Sequence, residues 1–591
     1  MQTIVSQLET AFRNAIAAAF GLDADPLLTV AQNEKFGDYQ SNAAMGLAKV
    51  LVEKTGQKPN PRAVAEQIKA KLELGEMADK DGISIAGPGF INVRLSPLWL
   101  ALQLRDIAKD ERLGIELTKN PQTVVVDYSG PNIAKQMHVG HLRSTIIGDA
   151  FVRILSFMGH VVIRQNHVGD WGLQMGMVTF AVKRAGLESQ LDSVDLDALE
   201  AMYKKITVEA KENPALRSEI IEATRKLQQT TKDQLTVWQH ARAITLGTAQ
   251  GLYDRLGVLL KPDDVRGESF YSDQYDAMVD SLRNEGVATD TDGAIGIFPP
   301  GFVNKENEPR PFIIQSRDGT YQYPTFDLAA LRYRARTLHT QRIIYTHDDR
   351  QAEHFEMLFA VVKLLHWADG VQLDYAPFGT ILGEDGKPFK TRSGDPVPLK
   401  FVLDQAEERA LEVVKVKNAE RPADLKLGEE KLAPIAHAVG IGAVKYSDLS
   451  KDRTSNYQFS LDKMLSFEGN TAPYMQFAYA RIASIFRKAG GRGVVTGDFT
   501  PQLETLFEQS LAKQVLRFQE IIDLVARELK PHYLCTYLYE LAGKFSSFYE
   551  NCEVLKSEEP MRSSRLLLID ITRRTLALGL ELLGIEHPEQ M

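Results

Sequence analysis

Hydrophobic positions change their spacing twice between residues 123 and 165. The first part is a short β-branched run, "TVVVDY", which predicts a buried parallel strand. After the turn "SGPN", apolar residues recur every three or four positions from Leu142 to Met158, and this spacing predicts a helix. Gly159 ends the helix, and the residues "HVVIRQN" predict the next strand. A strand, a helix and a strand in this order are typical of a βαβ unit that begins a nucleotide-binding parallel sheet.

The strand pattern returns only near residue 311, so we expect an insertion that splits the sheet. Residues from about 183 to 260 are polar and helical in pattern. Further strands are predicted in "QRIIYTHDD" and "VQLDYAPFGTIL", with a helix, "AEHFEMLFAVVKLLHWA", between them. Before the sheet, residues 1 to about 112 combine helices with the alternating stretch "ISIAGPGFINVRL" and predict a small α/β domain. After about residue 400, nearly every apolar pattern is helical.

The composition limits the classes of protein that fit this outline. The chain has 591 residues, of which 44% are hydrophobic and 25% are charged, as in ordinary soluble globular proteins. No stretch reaches the ~20 apolar residues of a membrane helix, and the start lacks the pattern of a signal peptide, so we expect a cytoplasmic protein. The two cysteines, Cys535 and Cys552, form no metal motif and suit a reducing compartment. A net charge of −9 means that any nucleic-acid site must depend on local basic patches.

Two histidines, His138 and His141, stand where the first strand of the βαβ unit passes into its helix. A zinc site would need further ligands, and a nucleophilic site would need a serine or cysteine on a strained turn. Helix N-termini attract anions through free N–H groups and the helix dipole. Two imidazoles there, with Gly140 allowing close approach, predict nucleotidyl transfer without a covalent enzyme intermediate. The pattern alone fits equally well with two surface histidines at a helix start.

A second basic cluster would then serve the leaving pyrophosphate. The glycine-flanked segment "GEDGKPFKTRSGD" (residues 383–395) carries Lys387, Lys390 and Arg392. Taken alone, this segment is typical of a solvated hairpin. Together with the histidine segment, it predicts a loop that contacts the phosphates of a nucleotide.

Three side chains indicate how a cationic substrate would be held. Asp127 ends the first strand. Tyr323 and Asp327 lie four positions apart at the head of a helix predicted in "YQYPTFDLAALRYR", so they share one helix face. Carboxylates bind a guanidinium well because its planar donors match their two oxygens. Each residue also has a plainer interpretation. Asp327 can be an acid near the start of a helix, where the helix dipole favours negative charge, and Tyr323 can be a half-buried packing residue.

Aromatic and basic residues alternate in "GNTAPYMQFAYARIASIFRKAGGR", among them Tyr474 and Arg481, and Arg573 and Arg574 follow later. Such residues can stack on unpaired bases and contact phosphates. Aromatic residues at helical spacing more often form a helical core, and this alternative applies to at least half of them.

These motifs together resemble a known family. The residues "HVGH" resemble the HIGH motif of class I aminoacyl-tRNA synthetases, and the longer string "SGPNIAKQMHVGHLRST" resembles the version in bacterial-type arginyl-tRNA synthetases. The loop "FKTRSG" is similar to the degenerate KMSKS loop of many bacterial arginyl enzymes. In the same way, "GDYQSNAA" and "GPGFIN" resemble the N-terminal domain of that family, and "GNTAPYMQFAYARI" resembles its anticodon-binding domain. The resemblance extends from about residue 34 to the end of the chain.

The resemblance implies an α/β fold in several parts. A small N-terminal α/β domain for recognition of the tRNA D-loop or elbow would cover residues 1–115. A Rossmann-like parallel-sheet catalytic domain would cover residues 120–400, interrupted by a helical insertion at about 185–310. A helical connector (400–454) and an all-α anticodon-binding domain of the DALR type (455–591) would follow.

The resemblance also implies roles for individual residues. Those with catalytic or ATP-binding roles would be His138, His141, Gly140, Lys135, Lys390 and Arg392. Those that bind substrate arginine would be Asp127, Asn132, Tyr323, Asp327 and Gln351. Those that bind tRNA would be Phe90 and Asn92, together with Tyr474, Arg481, Arg573 and Arg574 in the C-terminal helices. The loop departs from KMSKS after Lys390, which leaves open which loop residue meets pyrophosphate, and Gly130 stands where other members have serine.

The implied function is ligation of L-arginine to tRNA(Arg). ATP, with Mg²⁺ carried by the nucleotide and no dedicated metal site on the protein, would activate arginine as an adenylate. The arginyl group would pass to the 2′-OH of the terminal adenosine, and tRNA would be needed before activation. A pocket of carboxylates and a tyrosine rejects other amino acids by leaving polar groups unpaired, so we expect no editing domain. We also expect a monomer that does not contact membranes.

Three other functions stay open on the sequence. A class I synthetase for another amino acid is opposed by the pair Asp127 and Asp327. An HxGH nucleotidylyltransferase would need no helical C-terminal domain, so deletion of residues 455–591 would leave its activity intact. A non-catalytic tRNA-binding homologue of a synthetase is opposed by the retention of both histidines and of Lys135.

Overall fold

The computed structural model describes residues 2–31, 33, 35–55, 59–391, 394–491 and 499–591, and only the main chain of residues 53–55. Within these ranges the chain combines an antiparallel N-terminal sheet, a central parallel sheet and a large helical C-terminal part. The predicted α/β fold class is therefore confirmed. Each helix in these ranges is too short or too polar to cross a lipid bilayer.

The N-terminal part consists of helices and an antiparallel sheet. Its elements are α1 (Ile4–Phe20), β1 (Leu28–Val30), β2 (Tyr39–Ser41), α2 (Ala43–Thr55), α3 (Pro61–Lys71), β3 (Ile83–Ala86), β4 (Phe90–Val93) and α4 (Pro97–Ala108). The strands pair in the order β1–β2–β4–β3. Helix α1 begins where the Thr3 side chain accepts the N–H of Ser6, and it ends at Gly21, whose φ of 63° is left-handed.

The predicted βαβ unit is present as β5 (Thr123–Asp127), α5 (Val139–Phe157) and β6 (Val161–Gln165). The two strands are parallel, with Val125 opposite Ile163. Helix α5 is buried on nearly every side, since its residues from Leu142 to Leu155 are all buried except Arg153. The change of hydrophobic spacing therefore located this unit correctly.

The insertion that follows contains strands as well as helices. Its elements are α6 (Leu173–Arg184), α7 (Leu196–Glu212), α8 (Pro214–Gln229), α9 (Thr236–Arg255), α10 (Tyr275–Asn284), β7 (Ala288–Thr291) and β8 (Ala294–Ile297), and β9 (Phe312–Gln315) follows. Strands β7, β8 and β9 form an antiparallel sheet. Asp292 and Gly293 have φ values of 51° and 82°, which a tight hairpin turn requires. The predicted helical insertion over about 185–310 therefore also contains a β-hairpin, which was not predicted from the sequence.

The parallel sheet is completed by elements from beyond the insertion. They are α11 (Tyr323–Arg336), β10 (Arg342–Tyr345), α12 (Ala352–Leu364) and β11 (Gln372–Tyr375). The short strand β12 (Ile381–Leu382) follows and belongs to a separate two-stranded sheet. The strand order is β11–β10–β5–β6, so β6 and β10 lie on opposite sides of β5. In such sheets ligands bind beyond the carboxyl ends of the strands, where the direction of the connections reverses. The crevice beyond β5 and β10 is therefore the expected position of a site.

The C-terminal part is almost entirely helical. Its elements are α13 (Leu399–Ala419), α14 (Glu429–Leu449), β13 (Tyr457–Gln458), α15 (Leu461–Met464), α16 (Ala472–Ala489), α17 (Leu506–Leu516), α18 (Phe518–Glu528), α19 (His532–Asn551) and α20 (Met561–Leu582). The short strand β13 pairs with β12. Helix α5 packs against α13, α14, α18 and α20, so the helix that follows the histidine segment directly contacts the C-terminal helices.

Candidate active site

His138 and His141 lie at the start of α5, beyond the carboxyl end of β5. His138 caps the helix, and its Nδ1 accepts the N–H of Gly140 at 3.1 Å. His141 Nδ1 accepts the N–H of His138 at 3.1 Å, and the two ring centroids are 4.0 Å apart. Because each Nδ1 accepts a main-chain proton, the neutral rings carry their own proton on Nε2 and present it as a donor.

Both imidazoles are uncharged near neutral pH. Burial and then the charge of Lys135 lower the pKa of His138. Burial, followed by His138 and Lys135, lowers the pKa of His141 to about 3. A Cβ at Gly140 would lie 2.9 Å from Cε1 of His138, so the ring itself requires glycine there. The approach of adenosine to Gly140 stays a prediction.

The loop of residues 383–395 is connected to the histidine segment through the main chain. Two hydrogen bonds of 3.1 and 2.9 Å join residues 397–399 to residues 137–139. Lys390 is exposed on this loop, and an open cavity of about 1030 Å³ lies between the loop and residues 459–462. Arg392 lies outside the described residues. The base of the loop is thus fixed beside His138, while the residue that meets pyrophosphate stays a prediction.

Asp327 on α11 lies between two histidines. Its Oδ2 is 2.7 Å from Nε2 of His354, and its Oδ1 is 3.4 Å from Nε2 of His167. Burial opposes its charge, yet the hydrogen bonds with His167 and His354 hold the pKa of Asp327 well below its usual range. Burial alone would lower the pKa of His167, but its contact with Asp327 raises this pKa to about 9. Tyr323, one turn earlier, is 58% exposed and its ring centroid is 4.7 Å from that of His354, so Tyr323 and Asp327 do share a helix face.

Asp127 is buried and paired with an arginine of the protein itself. Its Oδ2 is 2.9 Å from Nη1 of Arg334, and Nε2 of His347 lies 3.7 Å away. Burial opposes its charge, but Arg334 and His347 outweigh burial and lower the pKa of Asp127 to about 2. The other oxygen, Oδ1, is buried without a hydrogen-bond partner among the described residues. Contact between Asp127 and substrate arginine therefore stays a prediction that depends on this one atom.

Asn132 and Gln351 are both exposed, on the segments that follow β5 and β10. The main chain of Asn132 bridges to Gly169, which follows β6. A Cβ at Gly169 would collide with Oδ1 of Asn132, so this close approach needs glycine. The topology thus brings both predicted arginine ligands to the same end of the sheet, and their roles stay predictions.

Several ionisable residues of the crevice were not predicted from the sequence: His167, Glu268, Arg334, His347 and His354. His167 and His347 directly follow β6 and β10, in "NHVGD" and "YTHDD", so the position beyond the strand ends could have revealed them. Glu268 comes from the insertion, and its Oε2 accepts the N–H groups of Trp171 and Gly172 at 2.8 and 3.2 Å. Burial and then Asp170 raise the pKa of Glu268 to about 8. Nothing in the local sequence pattern distinguishes Glu268 from other acids of the insertion.

Phe90 and Asn92 lie on β4 of the N-terminal part. Phe90 is half-buried. Asn92 is 1% exposed, and neither atom of its amide has a hydrogen-bond partner among the described residues. Phe90 is thus the more accessible of the two for contact with tRNA, and both contacts stay predictions.

Arg573 and Arg574 on α20 have partners within the protein. Arg573 is 8% exposed and pairs with Asp570 at 2.9 Å. Arg574 donates to the main-chain oxygens of Ala108, at 2.8 Å, and Asp110. The contacts of Arg574 join α20 to the N-terminal part, and the pair of Arg573 lies within α20 itself. The geometry therefore favours a structural role for both arginines over the predicted contacts with tRNA phosphates.

Arg481 lines a basic groove beside α16. Its guanidinium carbon is 4.8 Å from the ring centroid of Phe477. The groove encloses about 610 Å³, and its basic side chains are Arg421, Lys426, Lys431, Arg481, Arg487 and Lys488. Tyr474, on the same helix, contacts Tyr539 with ring centroids 5.6 Å apart. The chain therefore has a local basic patch despite its net charge of −9.

Comparison with known proteins agrees with this architecture. Family models described as "Arginyl tRNA synthetase N terminal domain", "tRNA synthetases class I (R), catalytic domain" and "DALR anticodon binding domain" match residues 6–95, 103–461 and 475–591. An arginine–tRNA ligase of Synechococcus sp. is 46% identical over 602 aligned positions that cover 100% of both chains, and one of Hahella chejuensis is 46% identical over 587 positions that cover 99% of each. The structure of the arginyl-tRNA synthetase from Plasmodium falciparum matches 100% of both chains at 31% identity with a TM-score of 0.83. The structure of the arginyl-tRNA synthetase from Thermus thermophilus covers 99% of this chain and 100% of the Thermus chain, at 26% identity and with a TM-score of 0.77. The chain belongs to the arginyl-tRNA synthetase family of class I aminoacyl-tRNA synthetases.

Proposed function

We propose that this chain ligates L-arginine to tRNA(Arg). Arginine is activated by ATP as arginyl-adenylate, and the arginyl group then passes to the 2′-OH of the terminal adenosine. One observation carries the proposal. The two neutral imidazole donors, His138 and His141, lie at the start of α5, and the ionised carboxylate of Asp327 lies at the same end of the sheet. Relatives named arginine–tRNA ligase, which match the chain over its full length, support it.

In the first step, a carboxylate oxygen of arginine attacks the α-phosphorus of ATP. The bond between this phosphorus and the bridging oxygen of pyrophosphate breaks, and pyrophosphate leaves. His138 and His141 donate from Nε2 to phosphate oxygens whose negative charge grows in the transition state. The positive end of the α5 helix dipole adds to this stabilisation. Because both rings are neutral donors, they act without giving up a proton.

The leaving pyrophosphate needs positive charge, which we assign to Lys135 and to Lys390 on the loop. Class I synthetases use ATP with Mg²⁺, which neutralises phosphate charge when it is bound. Across the part of the chain that the structure describes, no group of three or more His, Cys, Asp or Glu side chains is arranged to hold a metal ion. We propose that Mg²⁺ is carried by the nucleotide.

Asp327 is the main acceptor for the guanidinium of the substrate in this proposal. Its charge is maintained by His167 and His354, and these contacts also fix its orientation. Tyr323, Asn132, Gln351 and Oδ1 of Asp127 supply the remaining polar contacts. An amino acid without a guanidinium would leave these groups unpaired, at a cost of about 1–3 kcal/mol for each buried group.

We assign tRNA binding to the basic groove and to the surface around Phe90 on β4. The exposed cations Arg487 and Lys488 would contact phosphates of the tRNA. A chain with a net charge of −9 must concentrate its positive charge in such a local patch to bind a nucleic acid. We also propose that tRNA binds before activation. The packing of α5 against α14 and α20 supports this order, because the helix that begins at the histidines contacts the C-terminal helices. A monomeric state in the cytosol completes the proposal.

The test is ATP–pyrophosphate exchange, measured with each protein amino acid and with and without total tRNA. We expect exchange with arginine alone, and only when tRNA is present. Exchange with a different amino acid would refute the proposed substrate. Nucleotidyl transfer that survives deletion of residues 455–591 and needs no amino acid would instead establish a nucleotidylyltransferase.

A further inference from the structure

The main chain directly ahead of His138 is held by helices of the insertion. Ala134 has a φ of 60°, a left-handed conformation that residues with a side chain rarely adopt. Its N–H donates to Oγ1 of Thr245 on α9 at 3.0 Å. The N–H of Gln136 donates to Oε2 of Glu200 on α7, also at 3.0 Å. Residues 134 and 136 are thus fixed from two separate helices, and Lys135 lies between them.

The side chain of Lys135 points to α7 as well. Its Nζ is 4.5 Å from the ring centroid of Tyr203, which is half-buried. Within the described ranges, no carboxylate forms an ion pair with Lys135. The ring attracts the ammonium through its quadrupole and carries no charge of its own. A carboxylate in the same place would hold the ammonium but would also cancel its charge.

We propose that Tyr203 is a positioning residue for adenylate formation: its ring holds the Lys135 ammonium beside the histidine segment and leaves the positive charge for the phosphates of ATP. The proposal rests on the function proposed above and gives the insertion a part in it. Burial and then the Lys135 charge lower the pKa of His138, which agrees with an ammonium close to that ring. Glu200 and Tyr203 lie one turn apart on α7, so one helix face fixes both the main chain and the side chain of the lysine segment.

Progressive fluorination of the ring separates this role from packing. Phenylalanines with increasing numbers of ring fluorine atoms at position 203 keep the shape of the side chain but weaken the attraction of its face for a cation. We expect the rate of tRNA-dependent pyrophosphate exchange to fall stepwise along this series, with the arginine KM unchanged. Tyr203→Phe should keep the native rate, and Tyr203→Leu should lose about 5- to 30-fold. Lys205→Ala, an exposed change on the same helix, is the matched control and should have no effect.

A double-mutant cycle with Lys135→Met completes the test. If Tyr203 acts through the lysine, Tyr203→Leu should cause no further loss in the Lys135→Met background. A flat fluorine series together with a slow Tyr203→Leu variant would show that the ring only packs, and would overturn the proposal. A slow Lys135→Met variant with a fully active Tyr203→Leu variant would overturn this inference and leave the proposed function intact. A fully active Lys135→Met variant would instead remove Lys135 from the proposed function.

Discussion

Replacing Asp327 by asparagine tests the arginine pocket directly. The change removes the charge of a side chain that is 16% exposed, while it keeps the shape and one acceptor oxygen. Loss of one partner from a buried, hydrogen-bonded charge pair costs about 2–5 kcal/mol, and the remaining oxygen favours the lower end of that range. A loss of about 2–3 kcal/mol corresponds to a rise of roughly 30- to 150-fold in the arginine KM. The ATP KM should change less than about twofold, because Asp327 lies on α11 and the imidazole donors lie at the start of α5.

The assay is pyrophosphate exchange in the presence of tRNA, with arginine and ATP varied separately. Glu356→Gln is the matched control, since it removes an exposed charge from α12, the helix that carries His354. Both KM values should stay native in that variant. Equal rises in the arginine and ATP KM of Asp327→Asn would refute the assignment, and Asp327 would then be an acid that only stabilises the start of α11.

Three further predictions follow from the same geometry. His141→Ala should slow single-turnover adenylate formation by about 10²- to 10³-fold while arginine and tRNA binding, measured by titration, stay native. Because the pKa of His167 is raised to about 9, its contact with Asp327 stabilises the fold fully below pH 6.5 and is lost as the pH rises through 9. The difference in unfolding free energy between the native chain and Asp327→Asn, measured by denaturant titration, should therefore narrow by about 3 kcal/mol over this range. Combined Arg487→Ala and Lys488→Ala substitutions should reduce the salt slope of tRNA affinity by about 2, whereas Phe90→Ala should weaken binding at an unchanged slope. An unaltered slope in the double variant would exclude phosphate contacts from the basic groove.

The parts of the fold that the sequence predicted are those with a strong local pattern. The βαβ unit was found because a buried strand and a buried helix leave different hydrophobic spacings in one short stretch. The hairpin of β7 and β8 was missed although Asp292 and Gly293 provide a turn signal. The long helical runs before it, α7 to α10, made a helical insertion the simpler interpretation. The turn signal at Asp292 and Gly293 was therefore outweighed by the helical pattern of the residues before it.

The site was predictable where it depends on the connection between one strand and one helix. His138 and His141 lie where the connection from β5 enters α5, so their position at the start of that helix needs no tertiary information. The partners of the acidic residues could not be predicted in this way. Arg334, which pairs with Asp127, lies near the C-terminal end of α11, far from Asp127 in the sequence. The sequence marks an acid at the end of a strand, but it does not show that the protein itself supplies a guanidinium. The same limit applies to Arg574, whose main-chain partners at Ala108 and Asp110 became visible only with the packing of α20 against the N-terminal part.

The charges around α7 explain how one lysine keeps its charge available in an acidic protein. Lys204, which follows Tyr203, is paired with Glu200 at 3.1 Å and with Asp395 of the loop at 3.4 Å. An ammonium paired in this way has less charge to offer a phosphate. Glu200 is also occupied by the N–H of Gln136, so its carboxylate is directed to the main chain of the lysine segment and to Lys204. Because these donors hold Glu200, the aromatic ring of Tyr203 is the contact that Lys135 makes on α7 within the described residues, and this contact does not cancel the positive charge.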